Sequence, residues 1–399
     1  ERGDGRTPGR DHPVALGAAG PRRVGEGRPL DAAEVLARLA GIPGPPGHEV
    51  QVAAAVEALW RPLAAEVRRD ALGNVIAVVP GEGLALPDGR RASVMWAAHM
   101  DEIALLVSSI EEGGFLRVDA AGGADPRNLL GQEVTVHTAA GPLAGVVGTK
   151  PPHLTSADEA RKVPRLRDLF VDVGLPAEEV RRRVRVGDPI TIRQSPARLQ
   201  GQRMTGKSLD NRVGVTVLTL ALEELARRRH AVDVYAVATV QEEVGLRGAA
   251  TSAYGLEPTL AVAVDVTFGD QPGIPDGKTV ALGQGAAIAQ GANVHPRVLA
   301  ALREAATAEG IATQPEPIPG SSGTDAWAIQ IAREGIPTAL VSVPLRHMHS
   351  PAEVVDLGDV REAARLLAAM AARLDAEAVG RLVGPGWQEV RAGAAGTAQ

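Results

Sequence analysis

The chain contains no cysteine. That excludes a disulfide framework, a catalytic thiol and thiolate-ligated zinc, so any metal must be held by nitrogen and oxygen. Aromatic residues are nearly as scarce. With 4 Trp, 3 Phe and 2 Tyr in 399 residues, the core is left to Ala, Val and Leu, and the aromatic platforms that stack on bases or sugars are not expected. Basic residues are not in excess: 48 Asp and Glu outnumber 42 Lys and Arg, a net charge of −6, and no nucleic-acid partner is expected. No apolar run reaches the roughly 18 residues of a membrane span, so no membrane partner is expected either. Residues 1–28 are rich in Gly, Pro and Arg and lack the apolar stretch of a secretory signal. They read as a disordered tail, and the expected location is cytoplasmic.

Hydrophobic residues make up 45% of the chain and charged residues 23%, ordinary for a globular protein long enough for two or three domains. Within it, four strand-like apolar segments each run into a His or a carboxylate. Segment 92–98 leads to His99, Asp101 and Glu102, and segment 232–241 to Glu242 and Glu243. Segment 260–264 leads to Asp265, and segment 338–344 to His347 and His349. In open α/β sheets, ligands bind at the carboxyl ends of the strands. A fifth motif, Gly206-Lys-Ser-Leu-Asp210-Asn-Arg212, precedes a helical pattern over 213–229, which places Asp210 at a helix N-terminus where a carboxylate is favoured.

Further helices are expected over 31–40, 48–63 and 357–373, with strands at 66–74 and 75–79. From about 105 to 196 the texture changes to short β-like segments with regular glycine turns, broken by one short helix at 177–184. Because ligand-bearing strands lie on both sides, this reads as a small β-rich domain inserted into an α/β domain.

Two imidazoles, His99 and His349, with the carboxylates Asp210, Asp265 and one of the Glu242–Glu243 pair, suit two divalent ions sharing one carboxylate. Asp101, two residues after His99, faces the same side of an extended segment and can orient the imidazole through its other nitrogen. On an extended chain Glu242 and Glu243 point apart; one is expected to bind metal and the other to handle protons. His347 competes with His349 for the ligand role. His137, His153 and His295 read as structural or exposed, and Thr324 or Asp325 as a helix cap.

The ordered set His99-Met-Asp-Glu-Ile103, Lys150-Pro-Pro-His153, Gly206-Lys-Ser-Leu-Asp-Asn-Arg212, Gln241-Glu-Glu-Val-Gly-Leu-Arg-Gly248, Val264-Asp265, Ser322-Gly-Thr-Asp325 and Arg346-His-Met-His-Ser-Pro351 resembles the M42 family of dinuclear metallo-aminopeptidases. That family includes glutamyl and leucyl aminopeptidases that assemble into tetrahedral dodecamers. The resemblance covers about residues 30–375. It implies an α/β, mixed-sheet, zinc-peptidase-like catalytic domain over 29–104 and 197–380, an inserted PDZ-like domain over 105–196, and tails at 1–28 and 381–399. It further implies two divalent ions, zinc or cobalt, bridged by Asp210. His99 and Asp265 would complete one site, and Glu243 and His349 the other. Glu242 would be the general base and Asp101 would orient His99. Peptide substrates and a homo-oligomer, from dimer to dodecamer, are implied too. Ala104 stands where the family has Gly, and His347 where Tyr is common. Competing readings are a metal-dependent deacylase or carboxypeptidase, a glycoside hydrolase, which would need only two flanking carboxylates, and a non-catalytic scaffold subunit.

Overall fold

A computed structural model describes residues 29–156, 161–275 and 277–383. The expected tail at 1–28 lies outside the described residues. So does the expected C-terminal tail from 384 onward, while residues 381–383 belong to a last helix, Ala376–Val383. The fold is mixed α/β.

Chain order separates the two β structures. Strands β1 (Glu66–Arg69), β2 (Val75–Val79) and β3 (Ser93–His99) begin a large sheet. The next six, β4 (Ala104–Ile110), β5 (Leu116–Ala121), β6 (Glu133–Thr138), β7 (Gly141–Thr149), β8 (Leu169–Asp172) and β9 (Pro189–Ile192), close into a barrel in the order β4-β5-β8-β7-β6-β9. The chain then returns to the sheet with β10 (Ala197–Arg198), β11 (Arg203–Gly206), β12 (Asp233–Thr239), β13 (Leu260–Phe268), β14 (Ala286–Gly291), β15 (Thr313–Ile318), β16 (Thr338–Arg346) and β17 (Glu353–Asp356). The sheet has 11 strands, in the path β1-β2-β12-β3-β13-β16-β17-β11-β10, with β14 on β16 and β15 on β14. Each β structure has its own apolar core. Leu105, Val107, Leu116, Val136 and Ile190 fill the barrel, and a separate cluster around Trp96, Val262, Val341, Leu218 and Leu367 fills the sheet and its helices. Truncating one such buried Leu to Ala costs roughly 2–5 kcal/mol.

The centre of the sheet positions the site. β12, β3, β13 and β16 are mutually parallel, so their carboxyl ends share one edge. All seven residues of β3 are buried, as expected of a strand covered on both faces. The β3–β13 ladder stops at Ala97 paired with Ala263, two residues short of His99 and Asp265, and the strands part there. β2 and β17 flank this parallel centre as antiparallel neighbours, which makes the sheet mixed.

Several local expectations shift. Asp265 lies inside β13, which continues to Phe268, and not beyond its end. The strand expected over 66–74 stops at Arg69 because the Asp70 carboxylate accepts the N–H groups of Leu72, Gly73 and Asn74 and folds the chain into a turn. The helix expected over 48–63 is Val50–Trp60. The Leu209–Leu225 helix is assigned from Leu209, but Asp210 and Asn211 have non-helical backbone and the peptide between them is cis. Regular turns therefore begin after Asn211, and Asp210 stands at their start. Nearly every residue of this helix is buried beneath the sheet.

Candidate metal centre

All seven expected site residues converge at the shared carboxyl edge, six as potential donors and Asp101 behind His99. His99 leaves the end of β3 with its side chain 2% exposed. Its Nε2 lies 3.2 Å from Asp210 Oδ1, 3.8 Å from Glu242 Oε2 and 3.8 Å from Asp265 Oδ1. His349 Nε2 lies 3.2 Å from Asp210 Oδ2 and 3.4 Å from Glu243 Oε1. The two oxygens of Asp210 thus face different imidazoles. Three groups of potential donors have all their atoms within 4.8 Å of one another: His99, Asp210 and Asp265; Asp210, Glu243 and His349; and His99, Glu242 and Glu243. The first two share Asp210.

The two glutamates do not sit on extended chain. Gln241 has φ 56, and the bend it makes sends Glu242 towards His99 and Glu243 towards His349. Three backbone N–H groups in this bend are held by buried carboxylates. Glu49 takes the N–H of Gln241, and the two oxygens of Asp101 take those of Glu242 and Glu243, each at 3.1 Å. Asp101 Oδ1 also lies 3.5 Å from His99 Nδ1. Asp101 therefore braces the glutamate turn as well as standing behind the imidazole, a task that its spacing from His99 did not reveal.

Two further carboxylates belong to this cluster. Glu353, at the start of β17, accepts the N–H of His349 at 2.9 Å with one oxygen and that of Asp210 at 3.1 Å with the other. It fixes the backbones of two donors and touches neither side chain in these bonds. Of the two residues expected as a helix cap, Thr324 holds the cap position, without a side-chain cap hydrogen bond, and Asp325 is the first residue of the five-residue helix. The Asp325 carboxylate is buried and accepts from Thr239 Oγ1 at 2.5 Å, and its Oδ1 has no hydrogen-bond partner among the described residues. His347 is exposed and turned out of the cluster; it has φ 59, as does His349, so the two histidines are not on one extended face. His137 lies in the barrel against Thr191.

The electrostatics follow from crowding acids in a buried place. Burial pushes Glu242 up to about 10, reinforced by Asp265, Asp325 and Glu243 against the pull of His99. Burial likewise raises Glu243, and raises Asp265 and Glu353 well above the usual carboxylate range. It lifts Asp325 to about 6. Hydrogen bonds to Asp210 and Glu243 push His349 up to about 11. Burial opposes charge on His99, yet Glu242, Asp101, Asp210 and Asp265 hold it well above 6.5. Asp210 alone is depressed: burial works against its charge, but the two imidazoles outweigh it. These donors suit hard or borderline divalent cations, and the surplus of acids over imidazoles is the charge such cations would neutralise.

A pair of glycines from the barrel side closes over the donors. A Cβ on Gly122, which has φ +90, would come 3.1 Å from Glu243 Oε2. A Cβ on Gly123 would come 2.7 Å from His349 Cε1, and closer still to Nδ1. On the open side, a cleft of about 770 Å³ runs from the donors over Thr267, Glu316 and Ser342 to the loop at 321–324.

The profile of the M42 glutamyl aminopeptidases matches residues 73–366. The lysyl aminopeptidase of Pyrococcus furiosus is 36% identical over 84% of this chain and 96% of its own length. An aminopeptidase from the archaeon Desulfurococcus kamchatkensis superposes with a TM-score of 0.82 at 41% identity, covering 89% of this chain and 98% of that one. The Pyrococcus horikoshii TET1 peptidase, which can assemble into a tetrahedron or a large octahedral shell, superposes with a TM-score of 0.76 at 32% identity, covering 86% and 100%.

Proposed function

The chain belongs to the M42 glutamyl aminopeptidase family and is a peptide hydrolase of the aminopeptidase type; we propose that it acts through two divalent ions, zinc or cobalt, sharing Asp210. One ion would be held by His99 and Asp265, the other by Glu243 and His349. The observation that carries this reading is the two donor groups with Asp210 in common, each oxygen turned to a different imidazole. Ions so held would supply Lewis acidity at the scissile carbonyl and a water of lowered pKa.

The chain's own groups do the rest. Glu242 takes the proton of the attacking water and returns it to the leaving amine. Its carboxylate is buried in the cluster, with Oε2 3.8 Å from His99 Nε2, yet belongs to neither donor group that shares Asp210, which leaves it free to handle the proton. Asp101 orients His99 and, by its hold on the N–H groups of Glu242 and Glu243, fixes where both carboxylates point. Glu353 does the same for Asp210 and His349. The barrel serves as a PDZ-like module of a homo-oligomer, a reading supported by the self-assembly of the Pyrococcus horikoshii relative. Peptides are the substrates, with neither nucleic acid nor a membrane as partner. Among the described residues no helix is long and apolar enough to cross a membrane.

The test is Glu242→Gln in the metal-reconstituted protein. It should retain both ions and the melting temperature while losing roughly 100-fold or more in kcat. A near wild-type rate would remove Glu242 from the base role. Free-amine and N-acetylated peptides assayed side by side separate the aminopeptidase from a deacylase, which would accept the acetylated set.

A further inference from the structure

The cleft wall carries one carboxylate that the donor cluster does not use. Among the described residues lining the cleft, the acids are Asp210, Glu242, Glu243, Asp265 and Glu316, and only Glu316 stands outside every donor group. It lies on β15, which among the described residues is an edge strand paired only with β14, and it stands between Pro315 and Pro317. Proline is tolerated on such an edge and stiffens it. The prolines are exposed while Glu316 is drawn inward. Its Oε2 accepts from Ser342 Oγ at 2.6 Å, and the Thr267 hydroxyl is a second partner. Both partners place it beside the ion centre. Ser342 is the register partner of Asp265 across β16 and β13, and Thr267 is two residues beyond Asp265 on the same strand and so on the same face. With strands about 4.8 Å apart, the Glu316 carboxylate sits on the order of 10 Å from the donors. A lysine or arginine side chain extending from a residue anchored there covers such a distance.

Two hydroxyl donors leave an ionised carboxylate with accepting capacity to spare. The interactions that set its proton affinity are burial and those two hydroxyls, with no cation among them, and burial raises its pKa. Apolar wall is available for an aliphatic stem from Phe268, Val280, Ile318, Leu340 and Met348. Resting on the aminopeptidase reading of the same site, we propose that Glu316 forms the floor of the pocket for the substrate's N-terminal side chain and selects cationic residues, lysine and arginine, by pairing with their charge. Lys278, exposed at the cleft rim, is the competing determinant; it would favour acidic residues instead.

The test uses the full-length chain reconstituted with zinc or cobalt, assayed on the nitroanilides of Lys, Arg, Leu and Glu. Lys and Arg should exceed Leu in kcat/KM, and Glu316→Gln should lower the Lys-to-Leu ratio by roughly tenfold or more, the loss of one charge-assisted contact. Glu316→Lys should move the preference towards Glu. The ratio is internal to one preparation, so partial misfolding cancels. A binding readout accompanies it: calorimetry should show free lysine bound more tightly than norleucine, which lacks only the ammonium, and Glu316→Gln should abolish the difference. Hydrolysis of Leu with no advantage for Lys, a preference for Glu, or a ratio unchanged in Glu316→Gln overturns the assignment and leaves the aminopeptidase reading intact. If no substrate is hydrolysed, that reading falls, and equal binding of lysine and norleucine then overturns the role of Glu316 as well.

Discussion

Gly123→Ala isolates the contact between the barrel and the candidate metal centre. The new methyl would lie 2.7 Å from His349 Cε1, where ordinary van der Waals contact begins at 3.4 Å. The imidazole must retreat by 3.4 − 2.7 = 0.7 Å at that atom, and further at Nδ1. It cannot do so freely, because Nε2 sits 3.2 Å from Asp210 and 3.4 Å from Glu243 and the His349 N–H is pinned to Glu353. Retreat therefore pulls one donor out of its group. Gly123 has no positive φ, so alanine meets no backbone penalty and the whole effect is steric. A displacement of about 1 Å at a reacting centre costs up to roughly 100-fold. The expected loss in kcat/KM is thus about 10- to 100-fold, or roughly 1.4–2.7 kcal/mol, together with weaker retention of one of two ions. The assay is kcat/KM on an aminoacyl nitroanilide, paired with metal content after dialysis. Gly255→Ala is the control; it lies in the Arg247–Leu256 helix, and a methyl there meets nothing within 4 Å. Wild-type rate and two retained ions in Gly123→Ala would refute the claim that the barrel packs directly on His349.

Other perturbations probe the supports and the ions. Glu353→Gln keeps one accepting oxygen but turns an NH2 group towards a backbone donor. Metal affinity measured by competition with a chelator dye should fall roughly 10- to 100-fold, the usual cost of losing a group that orients ligands; unchanged affinity would make Glu353 a bystander. Chelation should lower the melting temperature, and zinc at 100 times its dissociation constant should restore about 2.7 kcal/mol; a melting temperature indifferent to chelation would contradict ion binding to the folded chain. Asp233, away from the centre, supplies a pH test. Burial opposes its charge, but Arg91 and the Gly81 N–H outweigh that and depress its pKa. A depressed carboxylate stabilises the fold above its unfolded value of about 3.9 and loses that contribution as pH falls through the folded value. Asp233→Asn should therefore melt below wild type at pH 7 and converge on it in acid; a gap that is constant with pH would rule out the ion pair as its source.

The donors were legible in the sequence because strands announce themselves. Buried parallel strands read as apolar runs, and a His or carboxylate directly after such a run has few places to go except the sheet's ligand edge. Asp265 was legible as a residue but misplaced as a strand end, since the apolar pattern resumes with Val266 and carries the strand on to Phe268. Glu353, Glu49 and the second task of Asp101 were not legible. They act on backbone N–H groups, and a main-chain donor leaves no trace in residue type. The helix start at Thr324 and Asp325 was legible and Thr324 holds the cap position, but the place of Asp325 in the cluster was not, because only the structure brings Thr239 to it. Gly122 and Gly123 read as turn punctuation, while the reason for them lies in His349 and Glu243, more than a hundred residues away.

The same division explains why the cluster demands cations. Asp210, Glu242, Glu243, Asp265 and Asp325, with Asp101 and Glu353 behind them, surround two imidazoles. The nearby cationic side chains are committed elsewhere: Lys207 Nζ is 2.6 Å from Glu102, and the Arg212 guanidinium holds the carbonyls of Leu39 and Ile42. Among the described residues the two imidazoles, whose proton affinity these acids raise, offset only part of the negative charge, so the remaining buried acids are satisfied by protonation, the direction in which burial pushes Glu242, Glu243 and Asp265, or by admitting divalent ions. A carboxylate held by hydrogen bonds to fixed backbone cannot turn away to solvent. The groups that position the donors are therefore also the ones that keep the negative charge in place, and they couple the precision of the site to its appetite for metal.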